Sequence, residues 1–459
     1  MTMLAGGLFS TPLVAGCSTG STGPGADARR VTLPELSALA KEAYIYTFPL
    51  YAMYRTRYDA LARSGAPNCF QHARMLATPA SRAVTAPNND TLYSSAWLDL
   101  SQGPLVLHVP DTAGRYYSLA FMDFYTNNFA YVGRRTTGTK AGDFVIVGPR
   151  GQGERPPGIP VIAAPTNGVW LLGRILVTGV EDLPTVHALQ NQLTLMALSS
   201  GDGGTAPRKR AGIGPKPEPN NPWNYFAVVN AALTENPPPA RDRQVVVDVA
   251  KIGIGPDAFF DATRFSTEER AALLAGVGAA KRELETALIP RTSGRPGWTK
   301  PRADLGNFGT DYFFRASVAQ VGLAALEPQE AVYLSPTGDA DGRPTDGTHR
   351  YLLHFSKGGL PPVDAFWSLT MYQVDPDQRR FLVENSLNRY SIGDRTKGLV
   401  YNADGSLDIF IQHQSPGAAR EANWLPAPEG RFVLSLRAYQ PRPELLNGQY
   451  QVPVLQTER

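Results

Sequence analysis

The first clear pattern in the chain is a helical spacing of apolar residues between positions 36 and 58. Thr32-Leu33-Pro34-Glu35 precedes it and matches a capping box, in which the threonine hydroxyl accepts from a free backbone amide and the glutamate reaches back. The pattern therefore predicts a helix that begins near Leu33. Pro49 lacks a backbone N–H, so we expect the helix to kink or end there.

From position 82 to 176 the pattern changes to short apolar or alternating runs that are separated by Gly/Pro-rich turns. Short strands with regular turn signals are typical of a β-sandwich. The predicted strands are Leu92–Leu98, Leu105–Val109, Tyr116–Asp123, Ala130–Arg134, Asp143–Val147 and Val169–Leu176.

A helical section follows. Asp182 with Pro184 predicts a helix that continues to about Leu198, and 223–234 is predicted as a second helix. Ser266-Thr267-Glu268-Glu269 is another capping box, which begins an Ala/Leu-rich helix. The Gly/Pro-rich stretch 201–222 reads as a loop.

After about position 306 the chain returns to strand patterns. Asp404-Gly405 lies between two apolar runs and is a strong hairpin signal. The strand spacing predicts a second sandwich, for which a jelly roll is the expected form. The predicted strands are Ala331–Leu334, Arg350–His354, Ala365–Tyr372, Phe381–Val383, Leu399–Asn402, Ser406–Gln412 and Phe432–Tyr439. The predicted fold class is thus mainly β with an α insert.

Composition agrees with this fold class and excludes some functions. The chain has 459 residues, 42% of them hydrophobic, with 44 Gly and 39 Pro. The net charge is only +3, and the one dense basic run, at 208–210, lacks interleaved aromatic residues. We therefore expect no nucleic-acid partner.

The N-terminus resembles a bacterial lipoprotein signal. An apolar run leads to Leu13-Val14-Ala15-Gly16-Cys17, and a Gly/Ser/Thr-rich tether follows. Cys17 is therefore the predicted lipidation site, which would anchor the protein to a membrane of the bacterial cell envelope. The alternative is a chance cysteine in an unstructured terminus.

Several long motifs resemble known families. In the first half they are Pro87-Asn88-Asn89-Asp90-Thr91-Leu92-Tyr93, Gly114-Arg115-Tyr116-Tyr117 and Phe121-Met122-Asp123. In the second half they are Gly309-Thr310-Asp311-Tyr312, Pro361-Pro362-Val363-Asp364-Ala365-Phe366-Trp367 and Asn423-Trp424-Leu425-Pro426. The first set resembles the domain-of-unknown-function family 1254, and the second set resembles its partner family 1214.

The resemblance implies an immunoglobulin-like sandwich, a helical middle and a C-terminal jelly roll, and it implies no established chemistry. The expected divisions are 1–31 for the lipoprotein signal and tether, 32–66 for the N-terminal helical segment, 67–180 for the immunoglobulin-like sandwich, 181–300 for the helical insert and 301–459 for the jelly-roll domain.

Two carboxylates are the candidate catalytic residues. Asp90 and Asp123 each lie in a family motif beside a predicted strand, and a converging pair can act as acid and base on a glycosidic or related bond. Arg115 is a candidate for binding an anionic group or for fixing one carboxylate. The alternative is structural: Asp90 caps its turn and Arg115 holds it in a salt bridge.

Other polar and aromatic residues in the motifs are candidate binding residues, because polar loops at strand ends often form ligand sites. They are Asn88, Tyr93, Asn127 and Asn128 in the first domain, and Arg389 and Trp424 in the second. Their alternative role is packing.

No cofactor motif is evident. A divalent metal at His354 and His413 is a weaker hypothesis, because both lie on or beside predicted strands of the second domain. The leading functional hypothesis is a cell-envelope protein that binds or processes a polar small molecule or saccharide in an inter-domain cleft. The alternatives are a non-catalytic interaction module and a carboxylate-dependent hydrolase or lyase.

Overall fold

The structure is a computed structural model and describes residues 31–64, 66–151, 156–198, 214–287, 297–299 and 302–458. Cys17 and its lipobox lie outside the described residues, as does most of the predicted loop 201–222. The lipoprotein signal therefore stays a prediction.

The chain begins with a long helix, α1, at Leu33–Ser64. Its capping box is present: the Thr32 amide donates to Glu35 Oε2 at 2.8 Å, and the Glu35 amide donates to Thr32 Oγ1 at 3.4 Å. The helix continues through Pro49, so of the two expected outcomes, a kink or an end, the end was wrong. Tertiary contacts on several sides hold α1 together where the proline removes one hydrogen bond.

The next strands form two stacked sheets. The elements are β1 Gln71–His72, β2 Thr91–Asp99, β3 Leu105–Val109, β4 Tyr117–Asp123, β5 Asn128–Gly133, β6 Gly142–Val147, β7 Val161–Ala163, β8 Gly168–Leu176, α2 Leu183–Gln192 and β9 Thr194–Ala197. We call β1-β2-β8-β4-β5 sheet I and β7-β6-β3-β9 sheet II. Leu92, Leu107 and Leu171 belong to the apolar core between them.

This first sandwich is longer than the sequence indicated. Strand β9 pairs with β3, so the domain continues to 197 instead of ending near 180. The predicted helix from 182 to 198 is in fact helix α2 followed by that strand.

Further helices surround α1. They are α3 Pro222–Glu235, α4 Arg243–Ala250, α5 Thr267–Ala287 and α6 Tyr312–Val321, and the two-residue strand β10, Gly297–Trp298, lies between α5 and α6. The second capping box is confirmed by the Ser266 amide, which donates to Glu269 Oε2 at 2.8 Å. No helix in the described part of the chain combines the length and apolar character that a bilayer crossing needs.

The C-terminal part is a second pair of stacked sheets. Its elements are β11 Ala331–Leu334, β12 Pro336–Gly338, β13 Arg350–Phe355, β14 Val363–Val374, β15 Arg380–Phe381, β16 Ser391–Gly393, β17 Leu407–Gln412, β18 Trp424–Pro426, β19 Phe432–Pro441, α7 Pro443–Leu446 and β20 Gln456–Glu458. Sheet III is β11-β19-β14-β15 with β16 beside β14, and sheet IV is β18-β17-β13-β20. Leu369, Ile409 and Leu434 lie in their shared core.

The Asp404-Gly405 turn forms, with Gly405 at φ 84° and the Gly405 amide bound to the Asn402 carbonyl. Only its second arm is a strand, however, so the predicted hairpin is half correct. The fold is mostly β sheet with several helices, as expected.

Sheet I connects the first sandwich with the helices and with the second sandwich, because its outer face is covered as well as its inner face. Its outer face, away from sheet II, carries the stacked rings of Trp97 and Trp170, which pack with the helical core. Further along the same face, Tyr116 and Leu176 pack against Tyr439 of sheet III. The helices and the second sandwich therefore share one sheet face.

Close packing of α1 on α5 depends on Gly276. A Cβ at this position would lie 2.1 Å from the Ser37 carbonyl oxygen, which is backbone and cannot turn away. Gly276→Ala should therefore lower the free energy of unfolding by about 1–3 kcal/mol, although alanine is the better helix former. Urea denaturation measures this difference.

Gly278 is the matched control in the same helix, because a Cβ there meets only the flexible end of Arg282. Gly278→Ala should raise the free energy of unfolding by about 0.4–1 kcal/mol. Equal stabilisation by both substitutions would contradict the packing argument.

Candidate functional site

Asp123 ends strand β4 and organises the turn into β5. Its Oδ1 accepts from the amides of Tyr125 and Asn127, each at 2.9 Å, while the Asn127 side-chain amide donates to Oδ2 at 3.2 Å. Thr126 takes a left-handed φ of 66° inside this turn. The sequence folds this way because an aspartate can satisfy the amides that a tight turn leaves free.

The turn borders a cleft of about 390 Å³, where the first sandwich meets the helical region and the segment before the second sandwich. This volume lies within the range of small-molecule sites, roughly 300–1,000 Å³. The lining residues are Asp123, Tyr125, Asn127, Asn128, Phe129, Pro165, Thr166, Pro237, Pro239, Arg241, Asn307 and Glu327. Carboxylates, amides and a hydroxyl thus face the same space as two aromatic rings.

Glu327 and Asp123 supply the acidic groups of this cleft. Burial raises the pKa of the half-buried Glu327, and its carboxylate makes no hydrogen bond or ion pair within the described part of the chain. Burial also raises the pKa of Asp123, although the hydrogen bonds from Asn127 and the charge of Arg315 oppose the rise. Two carboxyl groups with raised pKa in one cleft are a typical sign of proton-transfer chemistry.

A buried charge cluster supports Asp123 from behind. Arg315 is fully buried and donates to the Tyr46 carbonyl at 3.2 Å. The equally buried Asp242 accepts from the hydroxyls of Tyr46 and Tyr312, at 3.1 and 3.0 Å. Arg315 and Asp242 thus hold α1 and α6 in place under the cleft.

Asp90 lies elsewhere, between the two sandwiches. Its carboxylate is 3% exposed and accepts from Arg395 at 2.8 Å and from the Ser368 hydroxyl at 2.6 Å. Asn88 holds the Asp90 amide at 2.7 Å and donates to the Tyr439 hydroxyl at 2.6 Å. This turn therefore connects sheet I with sheet III.

The structure does not bring Asp90 and Asp123 together, which corrects the expected carboxylate pair. Thr91, next to Asp90, pairs with Leu176 of β8, whereas Asp123 pairs with Val169. These positions are seven residues apart along one strand, or roughly 23 Å. Such a separation is too large for the carboxylate spacings of glycoside chemistry.

Arg115 contacts neither carboxylate. It forms two parallel bonds to Asp182, at 2.5 and 2.7 Å, and donates to the Leu176 carbonyl at 2.8 Å. Its guanidinium therefore fixes the end of β8 to the turn before α2, so the expectation that it would fix Asp90 or Asp123 was wrong.

The candidate binding residues of the second sandwich, Arg389 and Trp424, donate hydrogen bonds to backbone carbonyls. Arg389 Nη1 donates to the carbonyls of Glu421 and Trp424 at 2.7 and 2.8 Å, and the buried Trp424 ring donates to the Gln412 carbonyl. The two residues do meet, but Arg389 Nη1 and the Trp424 ring N–H are already used in these bonds.

The two histidines proposed as metal ligands lie apart. His354 bonds to Asp408, its neighbour across the strands, at 2.6 Å, whereas His413 follows the end of β17 and bonds to the Ala427 carbonyl. His413 lies five positions along the chain from Asp408, or roughly 17 Å, so a shared ion is ruled out by distance. No cluster of three or more His, Cys, Asp or Glu side chains in the described part could hold a metal ion.

A larger cavity of about 510 Å³ lies between the end of α1 and the ends of β2 and β8. Arg57 and Glu235 form a salt bridge in its lining, and Asp99 bonds to Ser101. Both carboxylates of this cavity thus have partners, whereas the Glu327 carboxylate of the smaller cleft has none in the described part of the chain, so the smaller cleft carries the stronger chemical signal.

Asn127 and Asn128 lie at the cleft together with Asp123, as a shared loop would require. Asn88 and Tyr93 lie instead at the junction of the two sandwiches, where the Arg174 guanidinium stands 5.2 Å from the centre of the Tyr93 ring. The sequence argument missed Glu327, which lies in no recognised motif and reaches the cleft only through the tertiary fold.

These features define a two-sandwich protein with a carboxylate-lined cleft where its parts meet. Residues 67–197 match the family described as Protein of unknown function (DUF1254), and residues 330–443 match Protein of unknown function (DUF1214). The chain therefore belongs to the proteins that pair an N-terminal DUF1254 domain with a C-terminal DUF1214 domain.

Two solved structures are similar to this chain. The VPA0106 protein from Vibrio parahaemolyticus is 29% identical with a TM-score of 0.70, and the match covers 92% of this chain and 100% of that one. An uncharacterized protein from Burkholderia cenocepacia is 12% identical with a TM-score of 0.45, over 93% and 94% of the two chains. A search of the curated proteins gave no significant match.

The raised pKa of Glu327 predicts a specific pH dependence. Above about pH 4.5, the ordinary value of a glutamate, the folded protein holds a proton that the unfolded chain releases. Stability from this group is thus complete below that pH and is lost as the pH rises through the raised pKa. Glu327→Gln should therefore gain stability relative to the wild type between pH 4.5 and neutrality, measured by urea denaturation at several pH values.

Asn307→Ala is the matched control, because Asn307 lines the same cleft and carries no titratable group. Its difference from the wild type should stay constant with pH. A constant difference for Glu327→Gln as well would show that burial does not raise the Glu327 pKa.

Proposed function

We propose that the protein binds and processes a polar, hydroxyl-rich small molecule, with saccharides as the expected class, in the cleft between Asp123 and Glu327. The observation that carries the proposal is that both carboxyl groups line one cleft and that burial raises the pKa of each. Amide and carboxylate groups suit hydroxyl ligands, and the rings of Tyr125 and Phe129 provide apolar surface.

The two carboxyl groups suit different roles. The Glu327 carboxylate makes no hydrogen bond or ion pair in the described part of the chain and can exchange a proton with a ligand, as a general acid or base requires. Asp123 is held by the turn amides, so its Oδ2 is a fixed acceptor that can orient a hydroxyl. This division supports a carboxylate-dependent hydrolase or lyase.

Ligand binding can be tested by thermal unfolding in the presence of mono- and disaccharides. A ligand of the folded state raises the melting temperature by mass action. We expect stabilisation of the wild type, a loss of affinity of about tenfold or more in Asp123→Asn, and retained binding without turnover in Glu327→Gln.

Arg150→Gln is the control for this experiment, since Arg150 lines the larger cavity instead of the cleft. It should bind saccharides as the wild type does. Absence of stabilisation by any saccharide, or equal stabilisation of all variants, would count against the proposal.

A non-catalytic interaction module is the second candidate. It is favoured by the Asn88–Asp90 turn, whose polar groups are used to hold sheet I on sheet III. In that case the family motif is scaffolding, and no small molecule should stabilise the cleft. We further propose that the two sandwiches have immunoglobulin-like and jelly-roll topology, which the two-sheet arrangement of each supports.

We also propose that Cys17 anchors the protein to a cell-envelope membrane through a lipid. The lipobox sequence and its tether support this location. Cys17→Ser, expressed in a bacterium, should move the protein from the membrane fraction to the soluble fraction. Fractionation and immunoblotting measure the change, with Cys69→Ser as the control that should leave the protein on the membrane.

A further inference from the structure

Sheets I and III face each other with matching pairs of residues. Tyr93 and Arg174 are direct cross-strand partners on β2 and β8, and Tyr333 and Arg437 are direct partners on β11 and β19. Partners of this kind point to the same face of their sheet. Each domain thus presents one tyrosine and one arginine at the junction.

Both arginines are buried without a carboxylate in contact. Arg174 and Arg437 are 5% and 4% exposed, and neither forms an ion pair within the described part of the chain. Of the nearby carboxylates, Asp90 is bound by Arg395, and Glu330 is bound by Arg135 at 2.6 Å. A buried charge without a counter-charge is strongly unfavourable, so this arrangement calls for an anion.

Several donors at the junction have no acceptor. Nε and Nη1 of Arg174 and Nε of Arg437 lack a hydrogen-bond partner among the residues that the structure describes. Their remaining donors fix the side chains, because Arg174 Nη2 donates to the Ala324 carbonyl at 3.1 Å and Arg437 Nη1 donates to Thr370 Oγ1 at 2.7 Å. The free N–H groups are therefore held in place and do not swing with the chain.

The hydroxyls of the two tyrosines add further hydrogen-bond donors to the junction. The hydroxyls of Tyr93 and Tyr333 make no hydrogen bond within the described residues, and both side chains keep part of their surface exposed. Because both side chains are only partly buried, a small molecule from the solvent can contact this part of the junction.

We propose that this junction is a binding site for the carboxylate of a small organic acid, held by Arg174 and Arg437 with Tyr93 and Tyr333. A guanidinium presents its N–H groups in a plane that matches the two oxygens of a carboxylate. The surrounding rings, including those of Tyr372 and Tyr439, give apolar walls for the rest of the acid. The site is separate from the Asp123 cleft, because Arg174 lies five positions along β8 from Val169, the partner of Asp123, or roughly 17 Å.

The test is thermal unfolding and calorimetric titration of the full chain with benzoate, acetate and inorganic phosphate at constant ionic strength. We expect saturable stabilisation by benzoate and weaker stabilisation by acetate. Arg174→Met should lower the benzoate affinity by more than about tenfold while the free protein stays folded, since the buried charge is removed together with its cost.

Tyr333→Phe keeps both arginines and removes only one hydroxyl, so it tests the site even where Arg174→Met fails to fold. It should lower the benzoate affinity about threefold or more. Tyr117→Phe is the matched control, because this buried hydroxyl lies on the opposite face of sheet I, in the core with sheet II. Stabilisation by phosphate alone, by no anion, or equally in Tyr333→Phe and Tyr117→Phe would overturn the proposal.

Discussion

The constraint on which the rest of the structure depends is that sheet I is covered on both faces. Its central strand β8 is buried along almost its whole length, with only Trp170 partly open. One face packs on sheet II. The other face packs on the helices near Trp170 and on sheet III near Leu176. In a sheet buried on both faces an unsatisfied polar side chain is costly, so its polar residues collect where two neighbours meet.

This division places the two polar regions at different ends of the same strands. Near Val169, the turn after β4 meets the helical region and forms the cleft with Asp123. Near Leu176, sheet III covers the strands, and the Asp90 turn and the two tyrosine–arginine pairs lie at the junction. Both regions therefore result from covering one sheet with two different partners. Because a buried ion pair contributes little net stability, the bond between Asp90 and Arg395 is better understood as fixing how the sandwiches meet.

Features that depend on local sequence were predicted well. Both capping boxes form, and β2 begins and ends within one residue of its predicted bounds, because turn and capping residues act over three or four positions. The failures share a physical cause. The sequence predicts a helix where strand β9 lies, because a run of four residues shows no periodicity of its own and forms a strand only by pairing with β3. The sequence predicts Asp90 as the acidic neighbour of Asp123, but the structure places Glu327 there. The contact between the Asp123 turn and Glu327 depends on how three separate parts of the chain pack, which local sequence does not specify.

The segment that carries Glu327 shows how closely the two regions are connected. Ala324 has a left-handed φ of 68°, which is unfavourable for a residue with a Cβ and persists only where contacts hold it. Arg174 donates to the Ala324 carbonyl from the junction, and Asn128 donates to the Ala325 carbonyl from the cleft, at 3.1 and 2.8 Å. The position of Glu327 thus depends on hydrogen bonds from both regions of sheet I. The arginine that faces the second sandwich also sets the backbone on which the cleft carboxylate stands, so the two sandwiches and the helices form one unit around that sheet.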